Sequence, residues 1–354
     1  MGKIINYIGS GNTARGFAPL YDSIFQDTKE AYVLKGGSNT YKTKVLEKLK
    51  KQYAALYDVE VIISSLDTDE IEAIKIPELD LAIFNGNLVH GGNIVISKAK
   101  NIEINLDGAL DSDKIKANSK YIDDLKNAIY RNLNSSYKGY EKALKIHDVW
   151  EAIYINHMDL SKANNLAESL VNKLITSKKD SDGKTFHRYL GAATPKGGVD
   201  FVPNLIDGLK NYYIKGRAGS GKSTVLKKIA KKAEENGFTV EVYHCGFDPS
   251  SLDMVIVREL GFAIFDSTAP HEYFPSLDTD EIVDFYKELF DEDVDSIYAD
   301  EIEQVESEYI IAKKEASNYL KKAGENKAKL DSIYDEAFDE EKADKIVGDK
   351  LAIN

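Results

Sequence analysis

The segment Gly216-Arg217-Ala218-Gly219-Ser220-Gly221-Lys222-Ser223 has residue types and spacing suited to one task, cradling a chain of phosphates. Glycines let the backbone wrap closely and take left-handed angles. The loop's N–H groups then face an anion-binding concavity, and a helix starting there adds the positive end of its dipole. Lys222 is expected to reach the β and γ phosphates of a nucleotide. Ser223 is expected to ligate Mg²⁺, which prefers hard oxygen donors. Thr224 is expected to hold the α-phosphate or cap the helix. A chance match to this pattern in a chain of 354 residues is on the order of one in a hundred.

Such a site also needs an acid at the end of a neighbouring apolar strand. Phe262-Ala263-Ile264-Phe265-Asp266 fits, with Asp266 reaching Mg²⁺ directly or through water. Ser267 follows it, where many ATPases carry a water-activating Glu, so fast hydrolysis is not expected. Three residues compete for the water-orienting or proton-accepting role: His271, Glu272 and Asp248. Asp248 precedes Pro249, so it is equally an ordinary turn starter.

The elements that must position these residues follow from pattern. Tyr212-Tyr213-Ile214 reads as a short strand entering the Gly-rich turn. Ser223 to Glu235 has helical spacing and is stopped by Gly237. Thr239 to His244 reads as a second strand, Leu252 to Arg258 as a short helix, and Phe262 to Phe265 as a third strand. The alternation predicts a parallel sheet covered by helices. Beyond Asp280 the sequence from Glu281 to Lys322 is charged and helical, and Leu330, Ile333, Tyr334 and Ala337 suggest a further helix. A similar stretch runs from about Lys114 to Ile175. These are expected to be helical hairpins, one appended to each core, either packing helices or the place where a protein partner docks.

The chain is written twice. Val59-Glu60-Val61 matches Val240-Glu241-Val242 at an offset of 181, Glu78-Leu79 matches Glu259-Leu260, Ile83-Phe84 matches Ile264-Phe265, and His90 matches His271. Asp159-x-x-Lys162-Ala163 matches Asp339-x-x-Lys342-Ala343. The expected organisation is a degenerate P-loop NTPase-like domain over 1–175, a polar linker over 176–186, and an intact P-loop NTPase domain over 187–354, the class being α/β with two tandem copies. The earlier loop, Gly36-Gly37-Ser38-Asn39-Thr40-Tyr41-Lys42-Thr43, keeps Lys42 and Thr43. Tyr41 replaces Gly221, where a side chain is expected to crowd the phosphates, and Asn85 replaces Asp266. Thr13-Ala14-Arg15-Gly16 matches Thr194-Pro195-Lys196-Gly197, both with a base third. Arg15 is expected to cross a pseudo-twofold interface toward the nucleotide of the other copy, supplying positive charge from outside that domain; otherwise it is a solvent-exposed turn base.

Composition narrows the classes. The net charge of −13 and an isoelectric point near 5.1 argue against a broad nucleic-acid footprint. Cys245 is the sole cysteine, which points to a reducing cytoplasm. Neither a signal peptide nor a membrane helix is expected.

The phrases Gly191-Ala192-Ala193-Thr194-Pro195-Lys196-Gly197, the loop at 216–223, Tyr243-His244-Cys245-Gly246-Phe247-Asp248-Pro249 and Ile264-Phe265-Asp266-Ser267-Thr268-Ala269-Pro270-His271 resemble a family of bacterial tandem P-loop proteins, mostly Gram-positive. The family is usually labelled ATPase or nucleotide kinase-like, and the resemblance spans nearly the whole chain. It implies a P-loop fold and ATP binding without supplying a reaction. Relatives typically keep the first loop intact, and this chain departs there at Tyr41 and Asn85. The leading expectation is an ATP-binding protein that hydrolyses Mg·ATP slowly at its second loop. The alternatives are a nucleotide or small-molecule kinase, and a nucleotide-gated binding module with negligible turnover. ATP is preferred over GTP because no guanine-reading Asn-Lys-x-Asp is apparent.

Overall fold

The computed structural model describes residues 2–87 and 96–351. The first copy contributes β1 (Ile4–Ile8), a hairpin of β2 (Ser10–Thr13) and β3 (Gly16–Pro19), the short helix α1 (Tyr21–Ile24), β4 (Glu30–Lys35), α2 (Asn39–Ala54), β5 (Val59–Ile63), β6 (Ile71–Ile76), β7 (Leu81–Asn85) and β8 (Lys100–Asn105). Three helices follow: α3 (Ser112–Ala117), α4 (Ser119–Ile155) and α5 (Leu160–Leu174). The second copy repeats the pattern: β9 (Lys184–Tyr189), the hairpin β10 (Gly191–Thr194) and β11 (Gly197–Asp200), α6 (Val202–Leu205), β12 (Lys210–Lys215), α7 (Lys222–Glu235), β13 (Thr239–His244), β14 (Leu252–Val257), β15 (Phe262–Asp266) and β16 (Glu281–Asp284). It closes with α8 (Phe285–Leu289), α9 (Val294–Ile297), α10 (Ala299–Glu336) and α11 (Glu340–Gly348).

Twelve of the strands form one sheet in the order β16-β12-β15-β14-β13-β9-β1-β5-β6-β7-β4-β8. Read outward from the centre, both halves have the same order and the same directions, so the duplication read from sequence is a duplication of topology. Most neighbours are parallel. The exceptions are β6 and β14, which run against both neighbours, and the central β1–β9 pair.

The expected parallel sheet is thus mostly parallel with one antiparallel strand inserted in each half, and the expected helix at Leu252–Arg258 is corrected. That stretch is β14, and every one of its six residues is buried. A short apolar run has no period with which to choose between strand and helix. Here Asp248 starts the turn, its carboxylate accepting from Ser250 N at 3.1 Å and its carbonyl from Ser251 N at 2.9 Å, and the chain doubles back.

One face of the sheet carries a core that is continuous across both halves, from Tyr7, Phe25 and Val33 to Tyr213, Met254 and Phe265. The opposite face carries two cores, and each is completed by a helix from the other copy. Ala167, Leu170 and Leu174 of α5 pack with Val225, Leu226 and Ile229 of α7. Ala343 and Val347 of α11 pack with Val45, Leu46 and Leu49 of α2. The helices therefore do not form one hairpin per copy as expected. Each copy sends a long helix across the molecule, and α4 and α10 lie against one another. Gly139 lets them approach closely, since a Cβ there would lie 2.8 Å from that of Ala316. The apolar stripe of Ile129, Leu133 and Tyr140 is spent on Leu320, Ala316 and Ala323. No described helix is long and apolar enough to cross a membrane.

Candidate functional site

The loop between β12 and α7 sits at the C-terminal edge of its half-sheet. Gly219 and Gly221 have φ of +72° and +81°, angles a side chain resists. Gly219 is also crowded: a Cβ there would lie 2.6 Å from the carbonyl oxygen of Glu151 and 2.9 Å from Ile155 Cγ1. The end of α4, from the first copy, thus lies directly on the second copy's loop.

Lys222 and Asp266 are brought together, Nζ to Oδ2 at 3.4 Å, and Lys222 Nζ also donates to the carbonyl of Arg217 at 2.8 Å. Ser223 Oγ accepts from Leu252 N at 2.9 Å. Asp266 Oδ1 accepts from the N–H and hydroxyl of Thr268 at 3.1 and 2.6 Å. Ser220 Oγ donates to Arg217 O at 2.8 Å, bracing the loop internally. Arg217 turns away from the loop's concave side: its Nε lies 2.9 Å from Asp295 Oδ2, its guanidinium stacks on Tyr286, and Tyr154 OH donates to the same carboxylate. Thr224 is exposed within the first helical turn. The cap position is Gly221, so the expectation that Thr224 caps the helix is corrected. No side chain caps α7, which leaves its first N–H groups to an outside acceptor.

His271 is brought to the site and Glu272 is not. His271 Nδ1 lies 2.8 Å from Asp200 Oδ2, a partner missed in the sequence, and Tyr273 OH donates to Asp200 Oδ1 at 2.7 Å. Burial favours the neutral imidazole, but the bond to Asp200 and the charges of Asp253 and Asp266 outweigh it, so the His271 pKa is raised. Glu272 is exposed and faces Lys215 at 3.6 Å. His90 lies outside the described residues.

Arg15 does cross between copies. It ends on Asp248, Nε to Oδ1 at 2.7 Å and Nη2 to Oδ2 at 3.3 Å. Burial raises the Asp248 pKa, yet hydrogen bonds from Arg15 and Ser250 bring it below the usual carboxylate range. A carboxylate held ionised and bidentate is a poor proton acceptor. Lys196 makes the mirror-image contact, to Asp69 at 2.5 Å and Asp67 at 3.5 Å, so the matched hairpin bases bind each other's half.

The first copy's loop is built differently. Helix α2 starts at Asn39, which matches Gly219, whereas α7 starts three residues later at Lys222. The extra turn consumes the backbone that would line a cradle, and Ser38 caps it by accepting from Tyr41 N at 3.0 Å. Tyr41 does not crowd a phosphate position as expected: it is buried against Phe338, with its hydroxyl 2.7 Å from Asp344. Carboxylates of α10 meet this loop's polar groups. Asp335 accepts from the hydroxyls of Ser38 and Thr40, the latter at 2.8 Å, and Asp331 from Asn39 Nδ2 at 3.0 Å. Lys42 is buried, and desolvation lowers its pKa to about 8. Asn85 donates to Asn39 Oδ1 at 3.1 Å instead of offering a charge. On α4, the residues matching Asp331 and Asp335 are Glu151 and Ile155.

The residues at the second loop fit a Mg²⁺–polyphosphate: hard oxygens on Ser223 and Asp266, the Lys222 ammonium, and an uncapped helix start. No protein-family model, curated protein or solved structure matches the chain.

Proposed function

We propose that this chain is a P-loop NTPase that binds ATP with Mg²⁺ at Gly216–Ser223, hydrolyses it slowly, and uses its first copy as a scaffold. The observation that carries this is the contrast between the two loops. One is held open by two left-handed glycines and leaves its helix uncapped. The other is helical, capped and filled by Asp331 and Asp335.

Mg²⁺, when bound, would supply positive charge to the phosphates. Ser223 and Asp266 would hold it. Lys222 exchanges its backbone acceptors for the phosphates, and the first-turn N–H groups of α7 meet their charge. His271, positioned by Asp200, faces the same space. The nucleotide is ATP in this reading, and the location is the cytoplasm.

The placement of α4 favours a second reading, a nucleotide-gated binding module. A phosphate entering beside Gly219 presses on Glu151 and Ile155, and α4 carries that displacement to α10. A kinase acting on a nucleotide or small molecule has no Arg-rich lid in its favour, since four of the five arginines, Arg15, Arg188, Arg217 and Arg258, are engaged with carboxylates and the fifth, Arg131, lies within the long helix α4.

The test is phosphate release from Mg·ATP, with Lys222→Ala as control. Release that disappears in the variant is expected. ATP binding without release would reject hydrolysis and leave the module or a kinase awaiting its acceptor. Absence of ATP binding would reject the whole reading.

A further inference from the structure

Asp200, the last residue of β11, has no counterpart in the first copy. The two hairpins match at an offset of 181, and Pro19 holds the same place on β3, opposite Ser10 as Asp200 is opposite Gly191. The carboxylate therefore belongs to the copy whose loop is open. Both of its oxygens are engaged. Oδ1 accepts from the Tyr273 hydroxyl at 2.7 Å and from Val202 N at 3.2 Å, and Oδ2 lies 2.8 Å from His271 Nδ1. An imidazole whose Nδ1 is taken presents Nε2 at the other edge of the ring. Nε2 has no hydrogen-bond partner among the described residues, and the His271 side chain is 19% exposed.

The segment that carries His271 is laced to the phosphate loop. Ser267 N donates to Ile214 O at 2.9 Å, and Lys215 Nζ donates to the carbonyls of Ser267 at 2.6 Å and Tyr273 at 3.0 Å. Ile214 and Lys215 are the residues that lead into the loop. Thr268 binds back to Asp266, and His271 N donates to Thr268 O at 2.9 Å. The ring is thus fixed relative to Asp266. The charges of Asp266 and of Asp253, its neighbour across the β14–β15 pair, both act on it. Lys222 Nζ, 3.4 Å from Asp266 Oδ2, marks where the last phosphate and the cation must meet.

We propose that His271 Nε2 donates to the terminal phosphate of a bound nucleoside triphosphate, with Asp200 as the positioning residue that turns it there, so that the pair discriminates a triphosphate from a diphosphate. This rests on the nucleotide-binding reading above and is independent of hydrolysis. Mg²⁺ takes hard oxygens, which Ser223 and Asp266 supply, so the imidazole nitrogen is left for the phosphate. Burial disfavours charge on the ring, and the Asp200 carboxylate, foremost among the groups that oppose it, raises the His271 pKa. A doubly protonated ring offers Nε2 as a donor, and its bond to a phosphate oxygen is charge-assisted.

Calorimetry with Mg·ATP and Mg·ADP on the full chain tests the pair. Wild type should bind the triphosphate more tightly. His271→Ala should lower the ratio of ATP to ADP affinity about tenfold or more, the worth of one hydrogen bond to a charged group. Asp200→Asn, which keeps the shape and loses the charge, should lower the same ratio about threefold or more. Combining the two substitutions should add nothing to His271→Ala alone, because Asp200 acts through the ring; a separate structural role would add its own loss. Glu272→Ala, the next residue but turned out toward Lys215, should leave the ratio within about twofold of wild type.

A ratio within about twofold of wild type in His271→Ala overturns the proposal. So does an equal loss for both nucleotides, or a change in Glu272→Ala as large as that in His271→Ala. Additive losses in the double variant overturn the role given to Asp200. A wild type that binds Mg·ADP as tightly as Mg·ATP overturns the proposal without any variant, should His271→Ala not fold. A wild type that binds neither nucleotide rejects the nucleotide reading and the pair together, whereas binding with an unchanged ratio in His271→Ala rejects only the pair.

Discussion

Replacing Arg188 by Met tests what joins the two halves. The backbone join is slight, since β1 and β9 pair in register only at Ile8 and Tyr189. Side chains do the rest. Arg188 is 2% exposed, with Nη2 2.6 Å from Glu60 Oε1, Nη1 3.0 Å from Glu241 Oε2, and its guanidinium 4.5 Å over the Tyr7 ring. Removing one partner of a buried ion pair costs about 3–5 kcal/mol, because the remaining charge is stranded.

The two acids are not stranded equally. Glu241 keeps Arg258, at 2.6 Å to Oε1 and 3.1 Å to Oε2. Glu60 keeps only Lys75, at 4.0 Å, and the Tyr7 hydroxyl. The loss therefore falls mainly on Glu60 and should sit near the lower end, about 3 kcal/mol. At a urea concentration near the midpoint this lowers the folded-to-unfolded ratio about a hundredfold.

Adding Glu60→Gln to Arg188→Met should recover most of the loss, and adding Glu241→Gln should not. The pH dependence should also reverse. In the wild type, burial raises the Glu60 pKa but Arg188 and Lys75 hold it below the ordinary value, so its contribution is present above the unfolded pKa and lost on acidification. Without Arg188, burial dominates, and the penalty should shrink from pH 7 toward pH 4. Urea titrations followed by circular dichroism measure all of this. A cost below about 1 kcal/mol, or equal rescue by the two Gln substitutions, would refute the reasoning.

Two further outcomes follow from the same structure. Burial raises the Glu72 pKa to about 7, so folding favours its protonated form and its contribution is lost as pH rises through 7. Glu72→Gln should raise the melting temperature at pH 8 and leave it nearly unchanged at pH 4.5; equal shifts at both would contradict the assignment. Gly219 and Gly261 share a left-handed φ, but only Gly219 is crowded. Gly261→Ala should cost about 1–2 kcal/mol. Gly219→Ala should cost more and also weaken ATP binding measured by calorimetry, and similar costs without loss of binding would show that α4 does not press on the loop.

Much of the fold was legible because its signals are local. The period of Val225, Leu226, Ile229 and Ala233 identified α7, and the apolar runs identified β12, β13 and β15. The offset of 181 exposed the duplication. At the site, the glycine spacing and Asp266 were readable for the same reason. What escaped depends on partners remote in sequence. Leu252–Val257 is apolar at every position but Asp253 because both faces of its sheet are covered, which erases the alternation that would mark a strand. Heptad-like stripes on α4 and α10 show that each is amphipathic, not that each is the other's partner. Asp253 looks like one acid in an apolar run until the register sets it beside Asp266, and Asp200 has no pattern linking it to His271. Tyr41 was judged by the residue it replaces, whereas its place was decided by Phe338 and Asp344, some 300 positions away.

The exchange of α5 and α11 has an evolutionary reading. Neither copy can cover its own core, so the unit cannot have begun as a self-sufficient monomer with these helices in place. The arrangement is that of a homodimer whose protomers traded C-terminal arms, later fused into one gene. In the symmetric ancestor, any change in the arm altered both sites at once. Fusion freed the two arms to diverge, so Asp331 and Asp335 could fill one loop with carboxylates while Glu151 and Ile155 meet the other with a backbone carbonyl and an apolar side chain. The present asymmetry is one that a symmetric dimer could not have encoded.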